Sequence, residues 1–245
     1  MCRLFVKIGK NLEKNAISEF ILSCEDYLKG PKLDIHERNE DQTFPHPDGF
    51  GYSFLENNSF STFHFLEPIF STSVDIYSEV NKGEIALIHA RKASPGIEID
   101  IKNNHPFEQE FLGKMWVFMH NGTIKTEITV DKTKFTPKGT TDSEKYFFKL
   151  LELIEKNGSL SSKEVYNLIK EWDYSGANFI LANNEKVWVG VFFKKYPLYY
   201  TMKLYNSDST IVISSCYLPS LGEAKLLENN SLIEIDVKER QIIQK

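Results

Sequence analysis

Strand-like segments rich in β-branched and aromatic residues occur in both halves of the chain, and no stretch rich in Gly, Pro or Ser divides them. Helical patterns come in two groups, Asn15–Lys29 with Ser73–Asn81 and Thr141–Asn157 with Ser161–Trp172. A chain with this alternation is expected to form a single α+β domain over residues 1–245, in which helices cover antiparallel sheets. With 245 residues, 41% of them hydrophobic, it can bury a large core.

The pattern of apolar residues predicts eleven strands and several connections. The strands are Cys2–Ile8, Gly49–Leu55, Ser59–Phe65, Glu84–Lys92, Met115–His120, Ala177–Ala182, Val187–Phe193, Leu198–Leu204, Thr210–Ser214, Leu232–Val237 and Gln241–Gln244. Asn57-Asn58 is expected to form a hairpin turn. Gly30-Pro31 is expected to end the first helix, and Leu33–Pro47 is expected to be a loop.

Composition and charge exclude several classes of protein. The net charge is -5 and no basic cluster is present, so nucleic acid is not an expected partner. The longest apolar run, Val187–Phe193, is too short to span a bilayer, and no signal peptide is visible. Three cysteines without regular spacing argue against a disulfide framework. We expect a cytoplasmic protein that binds no membrane.

The cysteines and histidines do not predict a metal site. Zinc sites usually contain two ligands separated by two to four residues. No such Cys/His pair occurs, since His36 and His46 are ten residues apart and the cysteines are isolated. Neither a metal ion nor another cofactor is expected.

Cys2 is the first candidate for chemistry. If Met1 is removed, Cys2 carries a thiol and a free α-amine on one residue, and an α-amine with a pKa near ~7.7–8.0 can act as a base at neutral pH. The thiolate is the nucleophilic form of cysteine, and an adjacent base generates it. Taken alone, a cysteine at this position can equally have no role.

Asn121-Gly122 follows the predicted strand Met115–His120. Taken alone, an Asn-Gly pair predicts a hairpin turn. The alternative is an oxyanion hole, in which the side-chain amide of Asn121 and the backbone N–H of Gly122 donate to a developing negative charge.

Three further residues are candidates for substrate binding. Arg91 follows a predicted strand and could hold a carboxylate through two parallel hydrogen bonds, although a surface ion pair is the commoner role of an arginine. Asp142 opens the helix Thr141–Asn157, where it is either an N-cap or first-turn acid favoured by the helix dipole or an acceptor for a ligand ammonium. His105 could orient a ligand or a backbone loop, although a lone histidine is more often structural.

The order of the motifs is more specific than any one of them. They are Cys2-Arg3-Leu4-Phe5, Asp48-Gly49-Phe50-Gly51, His89-x-Arg91-x-Ala93-Ser94, Asn104-His105-Pro106-Phe107, His120-Asn121-Gly122 and Thr141-Asp142-Ser143-Glu144. This series resembles the class II glutamine amidotransferases, a family of N-terminal nucleophile (Ntn) hydrolases, and in particular their stand-alone YafJ-type branch.

The resemblance implies a four-layer αββα sandwich and a role for each matched residue. Cys2 would attack the side-chain amide of glutamine to give a γ-glutamyl thioester, ammonia and then glutamate. Asn121 and Gly122 match the family's oxyanion hole, Arg91 its ligand for the α-carboxylate and Asp142 its ligand for the α-ammonium. His105 matches a motif near the glutamine loop.

The identity of the substrate stays open at this level. Ammonia could pass to a separate synthase subunit, or the protein could be a free glutaminase. It could also hydrolyse another γ-glutamyl amide or peptide, because Arg91 and Asp142 would recognise only the glutamyl end. A non-catalytic binding module with the Ntn fold is the remaining alternative.

Overall fold

The computed structural model describes residues 2–10, 12–26 and 44–245, in which two antiparallel sheets are stacked face to face. The strands in chain order are β1 (Arg3–Gly9), β2 (Phe50–Glu56), β3 (Ser59–Phe65), β4 (Ile85–Ala90), β5 (Phe107–Phe111), β6 (Lys114–Ile124), β7 (Tyr174–Ala182), β8 (Lys186–Val191), β9 (Lys203–Asn206), β10 (Thr210–Ser214), β11 (Lys225–Leu226), β12 (Ser231–Asp236) and β13 (Ile242–Gln244). Seven strands form one sheet in the order β11-β9-β10-β1-β4-β2-β3, and six form the other in the order β13-β12-β8-β7-β6-β5.

Helices cover the outer face of each sheet. The helices in the described residues are α1 (Lys14–Glu25), α2 (Ile76–Val80), α3 (Asp142–Asn157), α4 (Ser162–Ile169) and the short α5 (Pro197–Tyr200), of which α1 to α4 form this cover. One core cluster lies between α1, α2 and the seven-stranded sheet, and another between α3, α4 and the six-stranded sheet. Among the described residues, none of these helices combines the length and the apolar character that crossing a bilayer requires.

A third cluster fills the space between the two sheets, and β1 shows how the sequence produces it. Side chains alternate between the two faces of a strand. Leu4, Val6 and Ile8 therefore point into the core between the sheets, whereas Phe5 packs on Phe20 of α1, with ring centroids 5.4 Å apart. The expected four-layer αββα architecture is confirmed.

Most predicted elements are present, and the largest errors are in two segments. The predicted strand Leu198–Leu204 is wrong in its first half, because α5 occupies Pro197–Tyr200 and β9 begins only at Lys203. The first helix ends at Glu25, where Asp26 adopts the left-handed conformation with φ 71°, and not at Gly30-Pro31. Most of the predicted loop Leu33–Pro47 lies outside the described residues.

The Asn121-Gly122 pair does not form the hairpin turn that it predicts in isolation. β6 continues through both residues to Ile124 and pairs with β7, where Asn121 lies opposite Asn178. The register between the two strands shifts after Gly122. Eight other residues of β6 pair with β5 or β7, and this pairing overrides the local preference of an Asn-Gly pair for a turn.

Lys7 is buried on β1, outside the candidate site. Its side chain is fully inaccessible, and Nζ donates a hydrogen bond to the carbonyl of Gly83 at 2.8 Å. Burial lowers the pKa of Lys7 to about 8, and the nearby Glu84 opposes this only in part. Between this pKa and the ordinary lysine value, the unfolded chain binds more protons than the folded one, so stability rises with pH.

We expect the free energy of unfolding of the wild type, relative to Lys7→Met, to rise by about 2 kcal/mol between about pH 8 and pH 10. Urea unfolding of both proteins across this range measures the difference. A relative stability that stays level or falls with pH would contradict the account of this residue.

Candidate active site

Strand pairing places Cys2 beside Arg91. β1 and β4 are antiparallel, with Arg3 opposite Ala90, so the residue before β1 lies next to the residue after β4. Cys2 is 8% exposed, and its Sγ lies 3.8 Å from the carbonyl oxygen of Lys92. The thiol therefore lies at the start of β1, next to the loop that carries Arg91.

Asn121 reaches Cys2 from the other sheet. The backbone nitrogen of Cys2 donates to Oδ1 of Asn121 at 2.7 Å. Nδ2 of the same amide is buried and has no hydrogen-bond partner among the described residues. At Gly122 a Cβ would lie 1.7 Å from the carbonyl oxygen of Gly176, so only glycine fits. The Asn121 amide thus holds the nitrogen of Cys2 and retains an unpaired donor beside it.

Arg91 is buried and only partly bonded. Nη2 donates to the carbonyl oxygen of Glu98 at 3.1 Å, and Nη1 has no hydrogen-bond partner among the described residues. Burial lowers the pKa of Arg91 from its usual value, whereas the surrounding Cys2, Asp48 and Asp100 oppose that shift. A buried guanidinium with an unpaired N–H group can receive a carboxylate.

Backbone hydrogen bonds hold Arg91 in place from the Asp48-Gly49 segment. The Arg91 N–H donates to the carbonyl of Gly49 at 2.9 Å, and its carbonyl accepts from Asp48 N at 3.1 Å. The Asp48 carboxylate also accepts from the N–H of Ala93 at 2.8 Å. The Asp48-Gly49 motif therefore holds the motif that contains Arg91.

Asp142 is the first residue of α3, and it is not the cap. Thr141 caps the helix, its Oγ1 accepting from Glu144 N at 3.3 Å. The carboxylate of Asp142 accepts from the N–H of Ile124 at 2.6 Å and from that of Ser143 at 3.0 Å. The Ser143 hydroxyl donates to the same oxygen as Ser143 N, at 3.5 Å. These bonds fix the acid against the end of β6, and the oxygen that accepts from Ile124 N keeps a further lone pair for a ligand.

Three buried imidazoles lie beside these groups. His105 stacks on His89 with ring centroids 4.1 Å apart, and neither ring nitrogen of His105 has a partner among the described residues. Nδ1 of His120 lies 2.8 Å from Oγ of Ser143. Burial lowers the pKa of His105 well below its usual value, that of His89 to about 3 and that of His120 to about 4. All three rings are neutral at pH 7.

The residues singled out from the sequence meet at one cavity. Cys2, Arg91, His105, Gly122 and Asp142 line it, and Asn121 is hydrogen-bonded to Cys2. Its volume is about 40 Å³, and it opens to solvent.

A larger cavity of about 740 Å³ lies at the opposite end of β1, where Gly9 and Arg240 line it. Some of its polar groups are bonded to the protein, as when Nη1 of Arg240 donates to Ser209 O at 2.8 Å. None of its lining residues carries an unpartnered buried polar atom within the described ranges, whereas Arg91 and His105 do. These unpartnered polar atoms favour the smaller cavity as the ligand-binding site.

One contact to Cys2, and a second contact that supports it, were not foreseen from the sequence. The hydroxyl of Tyr199 donates to the carbonyl oxygen of Cys2 at 2.8 Å, and Nε2 of His46 lies 3.1 Å from that hydroxyl. Tyr199 falls in the segment wrongly predicted as a strand, so no sequence signal indicated it. Over the described part of the chain, no three His, Cys, Asp or Glu side chains are grouped so that they could hold a metal ion.

Comparison with known proteins identifies the family of this chain. The family model described as "Glutamine amidotransferases class-II" matches residues 32–211. The "Putative glutamine amidotransferase" of Haemophilus influenzae is 31% identical over 198 residues, covering 76% of this chain and 61% of that protein. The "Putative glutamine amidotransferase YafJ" of Escherichia coli is 35% identical over 111 residues, covering 44% and 43%. The chain therefore matches less than two thirds of either relative's length.

The fold is similar to that of a solved amidotransferase. Glutamine phosphoribosylpyrophosphate amidotransferase from Bacillus subtilis superimposes with a TM-score of 0.64 over all of this chain and 49% of its own, at 15% sequence identity. This likeness concerns the fold, and the family model together with the Haemophilus relative supplies the sequence relationship. The chain belongs to the class II glutamine amidotransferase family.

Proposed function

We propose that this protein hydrolyses the side-chain amide of glutamine, with Cys2 as an N-terminal nucleophile exposed by removal of Met1. The observation that carries the proposal is the Asn121 amide. It accepts a hydrogen bond from the nitrogen of Cys2 at 2.7 Å and keeps a buried Nδ2 unpaired. Membership of the family supports it, as does the meeting of Cys2, Arg91, His105, Gly122 and Asp142 at one cavity.

The chemistry follows from these groups. The α-amine of Cys2 takes the thiol proton, and Sγ attacks the amide carbon of glutamine. The oxygen of the tetrahedral intermediate takes up negative charge, which Nδ2 of Asn121 and the N–H of Gly122 stabilise. The α-ammonium then protonates the leaving nitrogen, and ammonia departs from a γ-glutamyl thioester. Water, deprotonated by the same amine, releases glutamate and restores the thiol.

Recognition of the amino acid uses two opposite charges. The unpaired Nη1 of Arg91 would bind the α-carboxylate, and the fixed carboxylate of Asp142 would accept from the α-ammonium. His105 would border the bound molecule as an uncharged ring, because burial keeps its pKa low. A site with one cation and one anion selects for a zwitterionic end of the substrate.

We further propose that residues 1–245 form one glutaminase domain, since strands from residue 3 to residue 244 build its two sheets. Ammonia would then pass either to a separate synthase subunit or to solvent. All three cysteines are buried free thiols, which fits the reducing cytoplasm.

Measuring ammonia and glutamate from glutamine, with a γ-glutamyl dipeptide in parallel, tests this function. Equal amounts of both products from glutamine are expected. Turnover of the dipeptide alone would identify a γ-glutamyl peptide hydrolase. Turnover of neither substrate would contradict the proposal and favour a binding module.

Arg91→Lys tests recognition separately from chemistry. Lysine keeps the positive charge but cannot bond to Glu98 O and to a carboxylate at the same time as the guanidinium can, so kcat/KM for glutamine is expected to fall about ten- to a hundredfold, mainly through KM. Arg240→Lys, at the far end of β1, is the matched control and should leave kinetics unchanged. A fall in kcat at constant KM would contradict the role given to Arg91.

A further inference from the structure

The two charged groups of the candidate site lie on different loops. Arg91 follows β4 of the seven-stranded sheet, whereas Asp142 opens α3 on the six-stranded sheet. A zwitterion with a carboxylate and an ammonium on one carbon can bind Arg91 and Asp142 together only if the distance between these two side chains is fixed. Some part of the structure must therefore tie the two loops together.

Asn103 makes that connection. Its side chain is 3% exposed, and Nδ2 donates at 3.2 Å to the carbonyl oxygen of Glu98, the same oxygen that receives Nη2 of Arg91 at 3.1 Å. On its other side, Oδ1 accepts from the N–H of Thr140 at 2.8 Å, two residues before Asp142. One amide thus links the loop around the guanidinium to the loop that leads into α3.

The loop before α3 is packed tightly onto this amide. At Gly139 a Cβ would lie 2.5 Å from Oδ1 of Asn103 and 2.5 Å from the carbonyl oxygen of Lys102, so only glycine permits the approach. From the helix side, the Glu144 carboxylate accepts from Lys138 N and Gly139 N, both at 2.8 Å. The loop is therefore held on one side by Glu144 and on the other by Asn103, which lies on the side of Arg91.

We propose that Asn103 is a positioning residue that sets the separation between the Arg91 guanidinium and the Asp142 carboxylate, and thereby the selectivity for substrates with both an α-carboxylate and an α-ammonium. The proposal rests on the proposed function. Asn103 also lines the cavity, yet both ends of its amide are bonded to the protein. It acts through Arg91 and Asp142.

The test compares glutamine with two analogues that each lack one charge. Glutaramate lacks the α-ammonium, and 4-aminobutanamide lacks the α-carboxylate. In Asn103→Ala, KM for glutamine is expected to rise about tenfold with kcat within about threefold, because only the binding geometry is lost. The preference for glutamine over both analogues should shrink by a similar factor.

Two further variants separate positioning from general destabilisation. Asn103→Asp is nearly isosteric and keeps the acceptor for Thr140 while losing the donor to Glu98, so it should show the same change in KM and selectivity. Asn183→Ala is the matched control, since that buried amide accepts from Glu185 N at 2.8 Å and Lys186 N at 2.9 Å in the turn between β7 and β8 and does not line the cavity. It should lower thermal stability and leave selectivity unchanged.

The outcomes are distinct. Unchanged KM and selectivity in folded Asn103→Ala would overturn the proposal, as would an equal shift in Asn183→Ala. If Asn103→Ala is too unstable to assay, Asn103→Asp decides by the same criteria. Failure of the underlying function appears differently, as a wild type whose turnover of glutamine is absent or does not depend on Cys2.

Discussion

Replacing Cys2 by alanine is expected to abolish ammonia release from glutamine, lowering kcat by about ten-thousandfold or more. The substitution removes the sulfur that forms the thioester and keeps the backbone nitrogen that bonds to Asn121 at 2.7 Å. Steady-state ammonia release gives the rate, and thermal unfolding verifies that the variant is folded.

Cys24→Ala is the matched control for this prediction. Cys24 is a fully buried thiol in the core between α1 and the seven-stranded sheet. Removing its sulfur leaves a small cavity and should cost about 1 kcal/mol of stability with kcat retained. Turnover that persists in folded Cys2→Ala would rule out Cys2 as the nucleophile.

Asn121→Ala is expected to lower kcat by about a hundred- to a thousandfold with a smaller effect on KM. The reason is that Nδ2, which has no partner among the described residues, would act most strongly when the oxyanion forms. The same substitution removes the acceptor for Cys2 N, which adds to the loss. Initial rates over a range of glutamine concentrations separate the two parameters.

Asn178→Ala provides the comparison, because Asn178 lies opposite Asn121 in the β6–β7 pair and is equally buried. Both ends of its amide are bonded, to Tyr200 O at 2.6 Å and to Phe192 N at 2.8 Å. This variant should lose stability while its kcat stays within about threefold of the wild type. A rise in KM alone in Asn121→Ala would assign that side chain to binding instead of catalysis.

Local signals in the sequence predict the elements whose structure depends on neighbouring residues. The strands Phe50–Glu56 and Ser59–Phe65 form the expected hairpin, since Asn57 and Asn58 both adopt positive φ. Ser161 caps α4, its Oγ accepting from Glu164 N at 3.3 Å, and a serine three residues before a glutamate is the sequence pattern typical of such a cap.

Elements that depend on distant contacts were harder to predict. Asn121-Gly122 stays extended because strands on either side pair with β6, and no local pattern indicates those partners. Tyr199 reaches Cys2 across a separation of 197 residues, and Asn103 contacts Thr140 across 37. The order of the motifs predicts which residues meet at the site, whereas the side chains that hold them in place emerge only from the tertiary structure.

Mass spectrometry of the N-terminal peptide tests the central claim most directly. The purified protein is incubated with a glutamine analogue that carries a diazoketone in place of the amide, and then digested. The account predicts that the peptide begins at Cys2, without Met1, and carries one molecule of the analogue on the Cys2 sulfur. A peptide that retains Met1, or a protein that is labelled elsewhere or not at all, would contradict it.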